Sequence, residues 1–165
     1  MKKITFLIFS IILLCFINNC AGYKPIYSSS NLSFKIEDYS IKGEKRLANL
    51  IYRKLNNISA SNKNNQNAQG INLFIETKKE RAPTVKSSTG KILEYKINLN
   101  TEVEAKDYVT NKSILKQNFN SSLNYKIQSI YSDTLTLEGK TINDLVNKTY
   151  QDILFNLSKN IISEW

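Results

Sequence analysis

The sequence contains no histidine, and it has only two cysteines among 165 residues. Histidine is the commonest general base near neutral pH and the commonest metal ligand, so its absence removes the usual centre of hydrolytic and metal-dependent sites. A zinc site would need carboxylates alone, which is rare in proteins. No nucleophile–base pair can be assembled from this composition. We therefore expect no enzymatic activity, no cofactor and no metal site.

Long apolar runs are also absent, apart from one short run at the start of the chain. Lys2 and Lys3 precede 14 largely apolar residues, 4–17. A helix that crosses a bilayer needs roughly 20 apolar residues. A positive end followed by a shorter apolar run is typical of a secretory signal peptide. The sequence thus predicts a signal peptide over residues 1–19 and no permanent membrane span.

Cys20 follows this run directly, at the place where a bacterial lipoprotein is cleaved and acylated. Cys15 would leave with the signal peptide, so one cysteine remains and no internal disulfide is possible. We predict that acyl chains on Cys20 anchor the mature protein. Each buried methylene contributes about 0.8 kcal/mol, so several chains make release negligible. The alternative is an exported protein that is cleaved without acylation.

The mature chain would have 146 residues, enough for one domain with a usable core. Residues 20–31 are polar and predict a lipidated tether, and residues 32–165 predict a single periplasmic domain. The formal charge is +9, or +7 without Lys2 and Lys3. A basic surface favours anionic partners, and export argues against nucleic acid among them. The alternative is a lysine-rich composition with no particular partner.

Two periodicities alternate along the first half of the domain. Apolar residues every second position predict a strand from Leu32 that closes at Gly43. An apolar stripe at spacings of three and four predicts a helix over 44–58. The asparagine-rich stretch 56–70 predicts a surface loop. Alternation then returns and predicts a second strand over 71–77.

The second half contains two further strands and a second helix. Pro83 and Gly90 indicate a loop over residues 78–90. Alternation over 93–105, and an inner face formed by Leu115, Phe119, Leu123, Tyr125 and Ile127 within 114–130, predict two strands that form an antiparallel meander with the second strand. The 3.6-residue period over 142–161 predicts a helix, with a capping box at Thr141 and Asp144. Leu135 and Leu137 could extend this helix upstream, but Gly139 argues against the extension. The predicted fold is α+β, in the order β-α-β-β-β-α. It is a four-stranded, mostly antiparallel sheet with two helices on one face and an open, polar opposite face.

The opening of the mature chain resembles the LPS-assembly lipoprotein family LptE, in particular its alphaproteobacterial form. The residues that carry the resemblance are Cys20-Ala21-Gly22-Tyr23-Lys24-Pro25-Ile26-Tyr27. That family typically opens with Cys-Gly-aromatic-basic/polar-Pro-aliphatic-Tyr, and here Ala21 is inserted after the cysteine. The order of elements and the hairpin from Ile71 to Val103 agree with the family in layout.

The resemblance implies a role without enzymatic chemistry at the periplasmic face of the outer membrane. Proteins of the LptE family plug the outer-membrane β-barrel LptD, help to assemble it, and contact lipopolysaccharide on its way to the cell surface. The alternative is a free-standing periplasmic lipoprotein that binds or carries an anionic lipid.

A cluster of five cations with one acid, Glu80, is the candidate lipopolysaccharide contact. Phosphates of lipid A bind such clusters through charge-assisted hydrogen bonds, and an arginine can make a two-pronged contact. The alternative is a solvated loop. The predicted contact residues are Lys78, Lys79, Arg81, Lys86 and Lys91. Tyr95 and Tyr125 lie on inward-facing strand positions and are expected to pack in the core.

Overall fold

A computed structural model describes residues 33–62 and 65–162 of the chain. The predicted signal peptide, the tether and Cys20 lie outside the described residues. The elements follow in the predicted order: β1 (Phe34–Gly43), α1 (Lys45–Ser61), β2 (Gln69–Lys86), β3 (Ile92–Asp107), β4 (Ser113–Lys126) and α2 (Tyr131–Ile162). The predicted α+β class is confirmed.

The four strands form one mixed sheet in the order β1-β2-β3-β4. β2, β3 and β4 pair in antiparallel fashion, as the predicted meander requires. β1 pairs with β2 in parallel at one edge, a position that the sequence left open. A register shift between Ile36 and Asp38 changes which residues of β1 face the helices. Ile36 and Tyr39 consequently align with Ile71 and Leu73, the inward residues of β2.

The core lies between the sheet and both helices, which cover the same face. Alternate residues of the strands point into it, and α1 and α2 each contribute an apolar stripe. A single cluster of buried apolar residues runs through all six elements. Its largest fully buried members are Phe34, Leu47, Ile51, Leu55, Ile71, Ile75, Ile97, Leu99, Val103, Leu145, Ile153 and Leu157.

The opposite face of the sheet is polar, and no element among the described residues covers it. Lysines and glutamates pair along its strands, with Lys78 and Glu76 of β2 3.2 Å apart and Lys106 and Glu104 of β3 also 3.2 Å apart. Cross-strand partners on β3 and β4, such as Asn100 and Asn120, present amides to solvent. We call this the polar face.

The loop predicted over residues 78–90 is wrong, because β2 continues to Lys86 and the turn comprises only residues 87–91. β1 ends at Gly43, opposite Thr77, so β2 beyond this point has a strand on one side only. A proline, which lacks the backbone donor, is tolerated on such an edge. Pro83 therefore lies within the strand, next to register shifts on either side of Val85.

The predicted start of the second helix is also wrong. α2 begins at Tyr131, about ten residues earlier, and runs through Gly139. Thr141 lies inside the helix and donates a hydrogen bond of 2.8 Å to the carbonyl of Leu137, so it is no cap. Tertiary contacts of the first turns outweigh the cost of about 1 kcal/mol that a helical glycine carries relative to alanine.

Candidate functional site

The five predicted contact residues do not form a single cluster in the folded chain. Lys78 lies on the polar face beside Glu76. Lys79 and Arg81 follow the buried Thr77 at alternate positions and face the helix side of the sheet. Lys86 and Lys91 are exposed and flank the turn between β2 and β3. Residues 78–86 belong to β2 rather than to a loop, so their side chains alternate between the two faces of the sheet and do not form one cluster.

Arg81 is engaged by side chains from three other elements. Its Nη1 lies 3.2 Å from Oε2 of Glu138 on α2 and 3.4 Å from the hydroxyl of Tyr125 on β4. Its guanidinium lies 4.6 Å from the ring centroid of Tyr95 on β3. The Tyr125 hydroxyl also donates to Glu138 at 2.9 Å, and the two tyrosine rings stack at 5.9 Å.

The charge states of Arg81 and Tyr125 favour the hydrogen bonds that connect the β2–β3 hairpin to α2. The hydrogen bond with Tyr125 raises the pKa of Arg81 above its ordinary value, so the guanidinium stays charged. Burial raises the pKa of Tyr125, which therefore stays neutral and donates. Tyr125 is buried as predicted, at 3% exposure. The contacts of Arg81 and Tyr125 with Glu138 were not predicted, because the helix predicted from the sequence began after residue 138. Arg81 thus connects the hairpin to α2, with 48% of its side chain exposed.

Several exposed apolar side chains gather at the end of the molecule where the β2–β3 hairpin turns. Backbone contacts bring the segments together: Ile127 donates to the carbonyl of Leu93 at 2.9 Å, and Gln128 donates to the hydroxyl of Thr134 at 2.9 Å. The exposed apolar residues of this hairpin-end surface are Val85, Leu93, Ile130, Tyr131 and Leu135. Val85 pairs with Glu94, the residue next to Leu93 on β3, so these exposed apolar residues extend around the hairpin end rather than forming one flat patch.

Cations surround these apolar residues. Lys86 and Lys91 flank the turn, Lys126 ends β4, and Lys140 lies on α2. Lys140 borders a shallow depression of about 430 Å³ that is also lined by Leu137 and by the acidic Asp133. The hairpin-end surface therefore combines apolar and positive groups, which suits a ligand with both acyl chains and phosphates. The sequence did not reveal Lys126 and Lys140 as members, because only the fold brings them to this end.

The polar face offers a second concavity, of about 260 Å³. Lys78 and Glu80 of β2 border it, and its floor is formed by amides and hydroxyls of β3 and β4. Its lining is uncharged apart from this lysine and glutamate. Among residues 33–62 and 65–162, no group of acidic or thiol side chains is arranged to hold a metal ion. No helix in this part of the chain is long and apolar enough to cross a bilayer.

The chain is similar in fold to several solved bacterial lipoproteins. A protein assigned as a lipoprotein in Caulobacter crescentus CB15 aligns with a TM-score of 0.60 and 14% identity over 83% of this chain and 96% of that one. Lipoprotein B from Nitrosomonas europaea aligns with a TM-score of 0.56 and 15% identity, over 81% of this chain and 88% of that one. A minor lipoprotein from Acinetobacter baumannii aligns with a TM-score of 0.54 and 15% identity, over 78% of this chain and 92% of that one.

These likenesses establish that the chain has a fold found in bacterial lipoproteins. No protein-family model matches the sequence, and no curated protein sequence matches it either. Because the identities are near 15%, the similarity concerns the fold rather than particular site residues.

Proposed function

We propose that the protein is an outer-membrane lipoprotein of the LptE type, anchored through Cys20 at the periplasmic face. In this role it plugs and helps to assemble an LptD-type β-barrel and contacts lipopolysaccharide during transport to the cell surface. The observation that carries the proposal is the lipoprotein fold shared over 83% of the chain. The opening segment from Cys20 to Tyr27 supports it independently.

The polar face is consistent with a plug. The lumen of a large outer-membrane barrel is polar, so a domain that fills it needs a polar exterior. Paired charges such as Lys106 with Glu104 and uncharged amides such as Asn100 meet that need without leaving an apolar surface in contact with water.

The hairpin-end surface is the part of the chain best suited to lipopolysaccharide. Lipid A presents phosphates beside acyl chains, and the β2–β3 hairpin presents the exposed Lys86 and Lys91 together with the exposed Val85 and Leu93. Lysine binds phosphate as a point charge, and the neighbouring apolar groups shelter acyl chains from water. We therefore centre the proposed lipopolysaccharide contact on Lys86 and Lys91; the other three predicted residues, Lys78, Lys79 and Arg81, lie further along β2 from the turn.

Co-purification tests the barrel partner. The tagged mature protein is extracted from membranes in mild detergent, and we expect a large β-barrel subunit to accompany it in stoichiometric amount. Recovery of the isolated domain alone would contradict the plug role and favour a free-standing lipoprotein that binds anionic lipid.

Binding of purified lipopolysaccharide tests the contact. Loss of a cation near a phosphate surface costs about 1 kcal/mol, so Lys86→Gln with Lys91→Gln should weaken binding at low salt by about tenfold or more. The effect should shrink as salt screens the charges. A charge-matched control removes two cations from the solvent side of α1, Arg46→Gln with Arg53→Gln. If the Lys86→Gln, Lys91→Gln variant binds lipopolysaccharide as tightly as the wild type, the proposed contact at these lysines is wrong.

A further inference from the structure

The outward face of α1 is unusually basic. The helix contains four cations, Lys45, Arg46, Arg53 and Lys54, and no acidic residue from Lys45 to Ser61. Arg46 and Arg53 are both exposed and are seven residues apart, which is two helical turns. They therefore lie in line on the side opposite the buried stripe formed by residues such as Leu47 and Ile51.

These cations lack acidic partners, in contrast with those of the polar face. Among the described residues, none of the four forms an ion pair, whereas Lys78, Lys106 and Lys116 each pair with a glutamate. Lys54 lies over the ring of Tyr150, with 5.7 Å between the ammonium and the centroid. Lys45, Arg46 and Arg53 are exposed and outnumber the one neighbouring acid, Glu44, which precedes the helix, so this face carries a net positive charge.

The location of α1 relative to the start of the domain adds a second constraint. Ser33 is held beside the C-terminal end of α1, where its carbonyl accepts from Gln69 at 2.9 Å and its hydroxyl accepts from Asn65 at 2.9 Å. Arg53 lies about 12 Å along the helix axis from Ser61. The hairpin turn lies at the other end of β3, about 50 Å away by strand length.

We propose that the outward face of α1 binds the surface of a bilayer that contains anionic phospholipids. Lys45, Arg46 and Arg53 supply charge that is complementary to phosphate headgroups, and arginine matches phosphate geometry with two parallel donors. Residues 21–32, which reach at most about 40 Å, connect this end of the domain to Cys20. Of the two basic surfaces, the α1 face is therefore the nearer to the predicted anchor, and it is separate from the lipopolysaccharide contact proposed at the hairpin end.

Vesicle binding tests this surface directly. The mature chain with Cys20→Ser, which carries no acyl chains, is sedimented with vesicles of phosphatidylethanolamine and phosphatidylglycerol, and separately with phosphatidylcholine vesicles. We expect binding to the anionic vesicles only, and weakening with added salt. Arg46→Gln with Arg53→Gln should reduce the affinity by about tenfold or more. The charge-matched pair Lys86→Gln with Lys91→Gln should change it by less than about twofold.

Each result has a clear consequence. Unchanged binding after the α1 substitutions, or equal losses from both pairs, would overturn the proposal, since the second result would reflect net charge alone. Binding to heparin as tight as binding to vesicles would also overturn it, because a bilayer would then not be the preferred partner. Both arginines are exposed, so thermal unfolding should show that the variant is folded. The lipopolysaccharide assay with the same two variants keeps failure of this proposal distinct from failure of the proposed function.

Discussion

Asp107 stabilises the turn between β3 and β4 with both carboxylate oxygens. Its Oδ1 accepts from the backbone of Val109 at 3.0 Å and from the backbone and hydroxyl of Thr110 at 2.7 and 2.9 Å. Its Oδ2 accepts from the side chain of Gln69 at 3.0 Å, which connects the turn to the start of β2. These hydrogen bonds, that from the Thr110 backbone foremost, lower the pKa of Asp107 to about 2.

Because the pKa of Asp107 is lowered, the stability of the fold should change with pH in the acid range. Because the folded-state pKa lies below the ordinary value of 3.8, the carboxylate stabilises the fold above that pH, and its contribution is lost as the pH falls toward 2. The group lies near solvent, so screening limits the effect to about 1 kcal/mol. Asp107→Asn should lower the free energy of unfolding by about this amount at pH 7 and flatten its change between pH 4 and pH 2. Denaturant unfolding across this range measures both, and parallel pH curves for the two proteins would contradict the assignment.

Two glycines show how an element's geometry decides the effect of one substitution. Gly139 lies within α2, and a Cβ there would meet no atom within 4 Å. Gly43 ends β1 with φ +73°, and a Cβ there would overlap the carbonyl oxygen of Thr77. The same change to alanine should therefore have opposite signs at the two positions.

The Gly139→Ala variant should be more stable than the wild type by about 0.5–1 kcal/mol, because alanine loses less backbone entropy in a helix. Gly43→Ala should be destabilised by more than about 1 kcal/mol, because its backbone conformation and the Thr77 carbonyl both resist a side chain. Thermal unfolding of the pair provides the measurement. A destabilised Gly139→Ala would mean that α2 bends or opens at this position.

The element order was predictable because long, regular periodicities determined it. The alternation over 93–105 and the apolar stripe of α1 have no competing signal, and both elements form where predicted. Errors arose at Pro83 and Gly139, where local propensity argued for a break and tertiary contacts overruled it. The candidate site was less predictable, because strand faces and a register shift decide which lysines meet, and neither is visible in residue spacing.

The whole molecule places two basic surfaces far apart. The hairpin-end surface adds apolar groups to its lysines, whereas the α1 face is cationic without exposed apolar partners. The polar face, on the opposite side of the sheet from α1, carries lysine–glutamate pairs such as Lys78 with Glu76 and Lys106 with Glu104. The net positive charge is thus not spread evenly, and each basic surface suits a different anionic lipid: one with accessible acyl chains at the hairpin end and one in an intact bilayer at α1.

Membrane attachment should then depend on two separable signals, the acyl chains on Cys20 and the cations of α1. A lipid anchor is insensitive to salt, whereas headgroup attraction is lost within a Debye length of about 3 Å at 1 M salt. The full-length protein should remain in the membrane fraction at both low and high salt. In a host that lacks the barrel partner, a version in which residues 1–20 are replaced by an ordinary cleavable secretory signal should be retained at low salt and released at high salt. Adding Arg46→Gln and Arg53→Gln to that version should release it at low salt as well. Retention of the replaced version at 1 M salt would show that another part of the chain anchors it, and an unmodified Cys20 in the intact mass of the mature protein would exclude the acyl signal itself.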